Sequence, residues 1–332
     1  MLSRLVRPWS VAVVLVLLLP LVLPNALLTI YIFIGLSTMV VSGLSLLMGF
    51  AGQVSLGQAA FYAIGAYTAG LLSRDLNVPP VLALAIAPAA ASLIAYVVGL
   101  PLLRLRGHYL AFGTLAFQLI TLSAIGEARD ITGGDTGLTA IPPLGIGPLI
   151  VDGPFKPIVF GYLAGGLALL TLLFNQHLVR SRPGRALRAL ATSEAGALAA
   201  GVPVGRYKLQ VFALSAAYAG LAGGVYAFFV SYIAPGSFPL VRSIEFLIMA
   251  TVGGLGSVWG SAVGASVVFL VVQVLQNLGT LPGMPLRAPA VFSYAVYAAI
   301  LIGIMLGLPQ GVVPALSNST GLVRRRTRGA PK

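Results

Sequence analysis

The feature that most constrains this chain is a succession of apolar runs, each about as long as a bilayer is thick. They fall at 10–24, 26–48, 58–73, 80–103, 109–126, 158–178, 209–231, 243–257, 259–278 and 288–307. A helix needs roughly 20 apolar residues to cross the hydrocarbon core. Lipid offers no partner for an open backbone, so such runs must satisfy their own hydrogen bonds as helices. The pattern predicts an all-α, polytopic transmembrane helical bundle of about ten spans. The first and eighth runs are short, which leaves the count between eight and ten. Only 8% of residues are charged and 58% are hydrophobic, whereas a soluble domain carries about 25% charged residues.

Arg4 and Arg7 precede the run from Val11 to Leu23. A cleaved signal peptide would begin this way. No small-x-small cleavage site follows, and Pro24-Asn25-Ala26 leads directly into the second run, so the segment is expected to be a retained first span. There is no cysteine, which excludes disulfide and thiol chemistry. The net charge of +13 would suggest nucleic acid in a soluble protein. Here the basic residues sit between apolar runs and report orientation and contact with membrane lipid; no nucleic-acid partner is expected.

Placing the N-terminus in the cytoplasm makes ten spans put 104–108, 179–208 and 308–332 inside, with both termini cytoplasmic. Those segments hold Arg104, Arg106, Arg180, Arg182, Arg185, Arg188, Arg206, Lys208, Arg324, Arg325, Arg326, Arg328 and Lys332; with Arg4 and Arg7, 15 of the 20 basic residues then lie inside. Of the acidic residues only Glu194 falls there. The chain is expected to be one transmembrane domain, 1–332. It has a Gly- and Pro-rich periplasmic loop at 127–157, an inner loop at 179–208 and a basic cytoplasmic tail at 308–332 that anchors beside anionic headgroups.

Three segments stand out. In Gly49-Phe50-Ala51-Gly52-Gln53-Val54-Ser55-Leu56-Gly57-Gln58, three glycines, two glutamines and a serine interrupt apolar sequence. This is either a broken segment facing a pathway or a short turn of small residues for close helix packing. In the inner loop, Gly184 to Ala200 reads as one helix of about 25 Å. Ser181 would cap its start, Gly201 would take the left-handed position after its end, and Pro203 would block continuation. Leu187, Leu190, Glu194 and Leu198 would share one stripe, Arg185, Arg188 and Thr192 another. Such a helix either docks a cytoplasmic partner or rests on lipid headgroups. In the outer loop, Gly133, Gly134, Asp135 and Gly137 predict a rigid turn offered to an extracytoplasmic partner. There is also an internal echo: 48–67 and 249–268 both place a Gly-rich break between apolar runs, as a repeat or by composition alone.

Other chemistry is excluded. There is no G-x-x-x-x-G-K-[ST] and no Gly-Lys dipeptide, so no P-loop can hold ATP. His108 and His177 stand alone at span ends, with no grouping for metal binding or nucleophilic catalysis. Arg242 and Glu245 form an i,i+3 pair expected at an outer helix end. Ion-driven carriers usually keep carboxylates mid-membrane. Without a fuel-burning site the chain needs an external motor, or it is a passive channel.

Five ordered blocks carry a resemblance: GFAGQVSLGQAAFYAIGAYTAGLL, HYLAFGTLAFQLI, ITGGDTGLTAIP, SRPGRALRALATSEAGALAAGVPVGRYKLQVFALSAAYAGLAGGVYA and LIMATVGGLGSVWGSAVGA. Together they span roughly 40–270. The chain resembles the M-type (LivM type) permeases of branched-chain amino-acid ABC importers, within the ribose/branched-chain permease group. The resemblance implies a heterodimer with an H-type permease, two cytoplasmic ATPase subunits that bind the ATP, and a periplasmic substrate-binding protein. It makes Gly184, Arg185, Arg188, Glu194 and Gly201 candidates for a loop coupled to the ATPase. It implies that Gly52, Gln53, Ser55, Gly57 and Gln58 lie near the translocation path, in an inner-membrane subunit with no catalytic residue, metal or cofactor of its own. The coupling loop of that family usually has more charge where this chain has Ala191, Thr192, Ser193 and Leu198, which puts particular salt bridges in doubt. Gln58 stands where a histidine is common. Similar permeases for urea, short amides or aromatic acids share the blocks. A stand-alone aquaporin-like channel would need Asn-Pro-Ala motifs, and the chain has no Asn-Pro step.

Overall fold

The computed structural model describes residues 3–105, 107–146 and 149–279, with the isolated positions 298, 299, 302, 303 and 313. The tenth apolar run is thus almost wholly, and the basic tail likewise, outside the described residues. Within them the chain is helical apart from one two-residue strand pair. Helix α1 (Ser3–Val22) is followed by α2 (Asn25–Ser45), which tightens into a π turn at Leu46–Phe50; α3 is Gln58–Arg74, α4 Pro80–Leu102 and α5 His108–Glu127. The outer loop contributes α6 (Arg129–Thr132) and the antiparallel strands β1 (Gly145–Ile146) and β2 (Leu149–Ile150). Then come α7 (Lys156–Arg180), α8 (Arg182–Thr192), α9 (Glu194–Ala199), α10 (Val204–Val230), α11 (Leu240–Gly253) and α12 (Val258–Gly279).

Six of these stretches are long and apolar enough to cross a membrane: Asn25–Phe50, Pro80–Leu102, His108–Glu127, Gly153–Arg180, Val204–Val230 and Pro235–Gly253. The first and ninth runs form the shorter apolar helices Trp9–Val22 and Val258–Val274, and the third forms α3, of 17 residues. Proline fixes several ends, because it lacks an N–H and biases the residue before it away from the helix. Pro24 precedes α2, Pro79 precedes α4 and Pro203 precedes α10.

The core lies where α2, α3 and α10 meet, with Leu36, Met39, Leu44, Phe61, Phe212 and Phe228 fully buried. Small residues let these helices touch backbone to backbone. A Cβ added at Gly65 would lie 2.1 Å from the Gly220 carbonyl oxygen, and one at Gly223 only 1.9 Å from that of Tyr62. The outer faces of α4 and α5 carry exposed Leu93, Val97, Phe112 and Ile120. In water such a surface would aggregate; in a bilayer it is the solvated face.

Opposite ends of the bundle gather different loops. At one end the Trp9 and Trp259 rings meet at 4.5 Å, the 254–257 turn reaches Gly49, and α8 packs beneath the π turn with α9 beside it. At the other end Leu138 and Ile233 form a backbone bridge. Arg74 also closes on Asp75 there and holds its carboxyl below the usual carboxylate range. The two segments of the internal echo are each helix, break, helix, and the π turn before the first break touches the second: a Cβ on Gly49 would lie 2.2 Å from the Gly256 nitrogen.

The inner loop is shorter than expected. Helix α7 runs to Arg180 and α10 begins at Val204, so the connecting segment is 181–203 rather than 179–208. Nor is Gly184 to Ala200 one helix. It breaks at Ser193, whose backbone is extended (φ −158°, ψ 115°) and whose side chain accepts the Gly196 N–H. A serine that caps a new start competes with helix continuation, and a sequence reading by periodicity passes over it.

Candidate functional site

The interruption at 52–57 is a non-helical segment whose polar side chains are packed into the bundle. Gly52 is exposed and adopts φ +65°, a left-handed conformation glycine takes without strain. Beyond it Gln53, Ser55 and Gln58 are 3%, 1% and 1% exposed. Gln58 Nε2 donates to Ser215 Oγ at 3.0 Å, and Ser215 lies about 16 Å along α10 from Val204 at 1.5 Å per residue. The chain therefore climbs into the bundle without helical hydrogen bonds before α3 begins.

Side chains from two other helices replace part of the missing ladder. The Leu56 N–H donates to Thr114 Oγ1 of α5 at 2.9 Å, and the Ala59 N–H to Ser243 Oγ of α11 at 2.9 Å. Ser243 in turn donates to Gln118 Oε1, and Gln118 Nε2 reaches the Pro239 carbonyl at 3.4 Å. A Cβ on Gly57 would lie 2.8 Å from the Thr114 carbonyl oxygen, so α5 and the break are in backbone contact. The carboxamide oxygens of Gln53 and Gln58 are buried without a hydrogen-bond partner. A second polar node ties α2, α7 and α10, where Asn175 donates to Ser42 and accepts from Tyr218 at 2.8 Å.

The break itself was visible in sequence, but its partners were not. Thr114 and Gln118 are spaced i,i+4 in a mostly apolar run, and that spacing was the available signal. Replacing Ser243 by alanine strands the Ala59 N–H and one oxygen of Gln118. The expected cost is about 1–3 kcal/mol for a buried unsatisfied group, read as a lower thermal midpoint in detergent. An unchanged midpoint would refute the structural role of this seam.

Of the inner-loop candidates, Gly184 and Arg188 lock α8 onto the end of α7. A Cβ on Gly184 would lie 2.3 Å from the Leu178 carbonyl oxygen, and Arg188 Nη2 donates to the Val179 carbonyl at 3.1 Å. Cations suit helix C-termini, whose last carbonyls lack intrahelical partners. Ser181 accepts the Gly184 N–H at 3.5 Å, as the capping pattern predicts. Gly201, at φ +76°, closes a Schellman turn: its N–H reaches Leu198 O and the Val202 N–H reaches Ala197 O. Glu194 pairs with Lys208 at 2.8 Å, linking α9 to α10. Arg185 is exposed. Leu187 and Leu190 are buried as expected, but the break at Ser193 turns Leu198 outward, 57% exposed, and buries Ala197 instead.

The outer turn is rigid. Gly133, Gly134 and Gly137 all have positive φ. Thr136 donates to the Gly133 carbonyl, Tyr232 donates to that of Thr136, and Asp135 is exposed. This turn lies at the end of the bundle opposite α8, so the three candidate groups do not form one site; the break and α8 adjoin, and the glycine turn stands apart.

Apolar helices around a buried polar seam, six of the described stretches long and apolar enough to cross a bilayer, define a multi-pass membrane protein. Residues 26–305 match the family described as branched-chain amino acid transport system / permease component. The chain is 30% identical over 305 residues to the high-affinity branched-chain amino acid transport system permease protein LivM of Escherichia coli (strain K12), covering 86% of this chain and 68% of that relative. A probable LivM of Methanocaldococcus jannaschii is 27% identical over 234 residues, 68% of this chain and 66% of the relative. A probable LivH of the same organism is 27% identical over 244 residues, 71% and 76%. No solved structure matches the chain. The chain belongs to the branched-chain amino acid transport permease family, and it is a multi-pass protein of the bacterial inner membrane.

Proposed function

We propose that the chain is the M-type permease of an ABC importer that passes branched-chain amino acids delivered by a periplasmic binding protein. It pairs with an H-type permease and is driven by two separate ATPase subunits, since its own sequence has no P-loop. The LivM and LivH names of its relatives support the pairing. In this reading 181–203 faces the cytoplasm with both termini, 127–157 faces the periplasm, and the glycine turn at 133–137 docks the binding protein.

One observation carries the mechanism: α8 is seated directly beneath the break. Buried Leu187 and Leu190 belong to the core that includes the π turn, and the space beside Gly52 is bounded by the Ala191 Cα at 3.9 Å. Closure of the ATPases pushes α8 and α9, and the Gly184 and Arg188 joints with the Glu194–Lys208 pair pass the displacement to α7 and α10. The break at 52–58 moves with them, and its two unpaired carboxamide oxygens are acceptors offered to the cargo's ammonium group.

Purification from the native membrane in mild detergent tests this. Two ATPase subunits and a second permease are expected to co-purify, and the reconstituted assembly should take up leucine only with ATP. A chain that transports alone, or that carries no ATPase, would overturn the reading.

A further inference from the structure

Arg242 and Glu245 form the expected i,i+3 pair at the N-terminal end of α11. Helix α11 has 14 residues and is about 21 Å long, shorter than the roughly 30 Å hydrocarbon core. Its C-terminal end joins the 254–257 turn at the α8 end of the bundle. Its first turn packs beside the start of α3, where Ser243 accepts the Ala59 N–H, about 22 Å along α3 from Arg74 at 1.5 Å per residue, so Arg242 lies within the bundle. Arg242 Nη1 donates to Glu245 Oε2 at 3.0 Å, with side chains 40% and 17% exposed. A half-exposed guanidinium at that depth is not stable against lipid tails; such groups face a water-filled cavity or a partner.

The cavity is present. Arg242 and Ser237 line a space of about 30 Å³ whose walls are Phe33, Tyr62, Tyr226 and Phe246. That holds a water or two, at roughly 10–15 Å³ each, and admits a larger solute only when the walls part.

We propose that this aromatic recess is a transit site for an α-amino-acid zwitterion on the wall of this subunit, which deepens the permease reading and rests on it. Arg242 takes the carboxylate, for which its planar fork is matched. The tyrosine faces take the ammonium, and the phenylalanines accept an apolar side chain. The site continues the polar seam, since Ser243, next to Arg242, bonds both α3 and α5.

The absence of cysteine from the chain allows a direct test in the complete transporter reconstituted in proteoliposomes. With Ser237→Cys, an anionic methanethiosulfonate is expected to react several-fold faster than a cationic one, followed on this chain by intact mass. Adding Arg242→Gln should erase that preference. Arg242→Gln alone should lower radiolabelled leucine uptake at least tenfold while binding-protein-stimulated ATP hydrolysis persists, and Arg242→Lys should restore most of it. A cysteine at 237 inert to both reagents, a charge preference indifferent to Arg242, or full uptake in Arg242→Gln would overturn the site. If the unaltered transporter takes up no leucine, the permease reading fails instead, and the reagent comparison still reads the charge of the recess.

Discussion

Replacing Gly184 by valine is expected to abolish ATP-driven uptake in membrane vesicles while the chain still inserts. Even its Cβ would lie 2.3 Å from the Leu178 and 2.4 Å from the Val179 carbonyl oxygen. Backbone atoms at a helix end cannot yield as a flexible side chain does, so α8 must swing away from α7. That separates Arg188 from the Val179 carbonyl and unseats Leu187 and Leu190 from beneath the π turn. The transmembrane core at α2, α3 and α10 loses Leu187 and Leu190 from its edge but keeps its own close contacts, such as Gly65 against Gly220, and should survive. Arg185→Glu is the informative contrast. Arg185 is exposed, so this change should weaken retention of the ATPase without altering the thermal midpoint. Normal uptake in Gly184→Val would remove α8 from the transmission route.

The largest effect on folding is expected at Gly223. A Cβ there would sit 1.9 Å from the Tyr62 carbonyl oxygen and 3.0 Å from the Ala66 nitrogen, both backbone atoms of α3. Overpacking a core typically costs about 1–3 kcal/mol through shifted side chains. Here the obstruction is main chain, so Gly223→Val should reach or exceed that range by forcing α3 and α10 apart. The protein should then elute from size exclusion in mild detergent chiefly as aggregate. Gly166→Ala in α7 is the control, since nothing lies within 4 Å of its added Cβ, and its midpoint should hold to within about 0.5 kcal/mol. A monodisperse Gly223→Val protein would show that the α3–α10 contact is dispensable.

Much of this architecture was legible because lipid enforces one rule: an apolar run must close its own hydrogen bonds. The runs at 26–48, 80–103, 109–126 and 158–178 became α2, α4, α5 and α7 with ends shifted by a few residues. Gly201 and Ser181 were readable because capping chemistry is local. Two things were not. The break at Ser193 is a contest between a capping serine and helix continuation, which periodicity does not weigh. The environment of Gln58 depends on Ser215, Ser243 and Thr114, brought from distant parts of the chain by helix packing. The depth of Arg242 was hidden for the same reason. Its position on a helix is local, while the level at which that helix starts is set by its packing against α3 through Ser243.

The contact between Gly49 and Gly256 has a mechanical consequence. Each glycine belongs to the elbow of a different helical hairpin, and neither can move inward without displacing the other's main chain. The two elbows share a single fulcrum. A thrust delivered under one arm is felt in the other, so α12 is recruited to any motion that begins at α2.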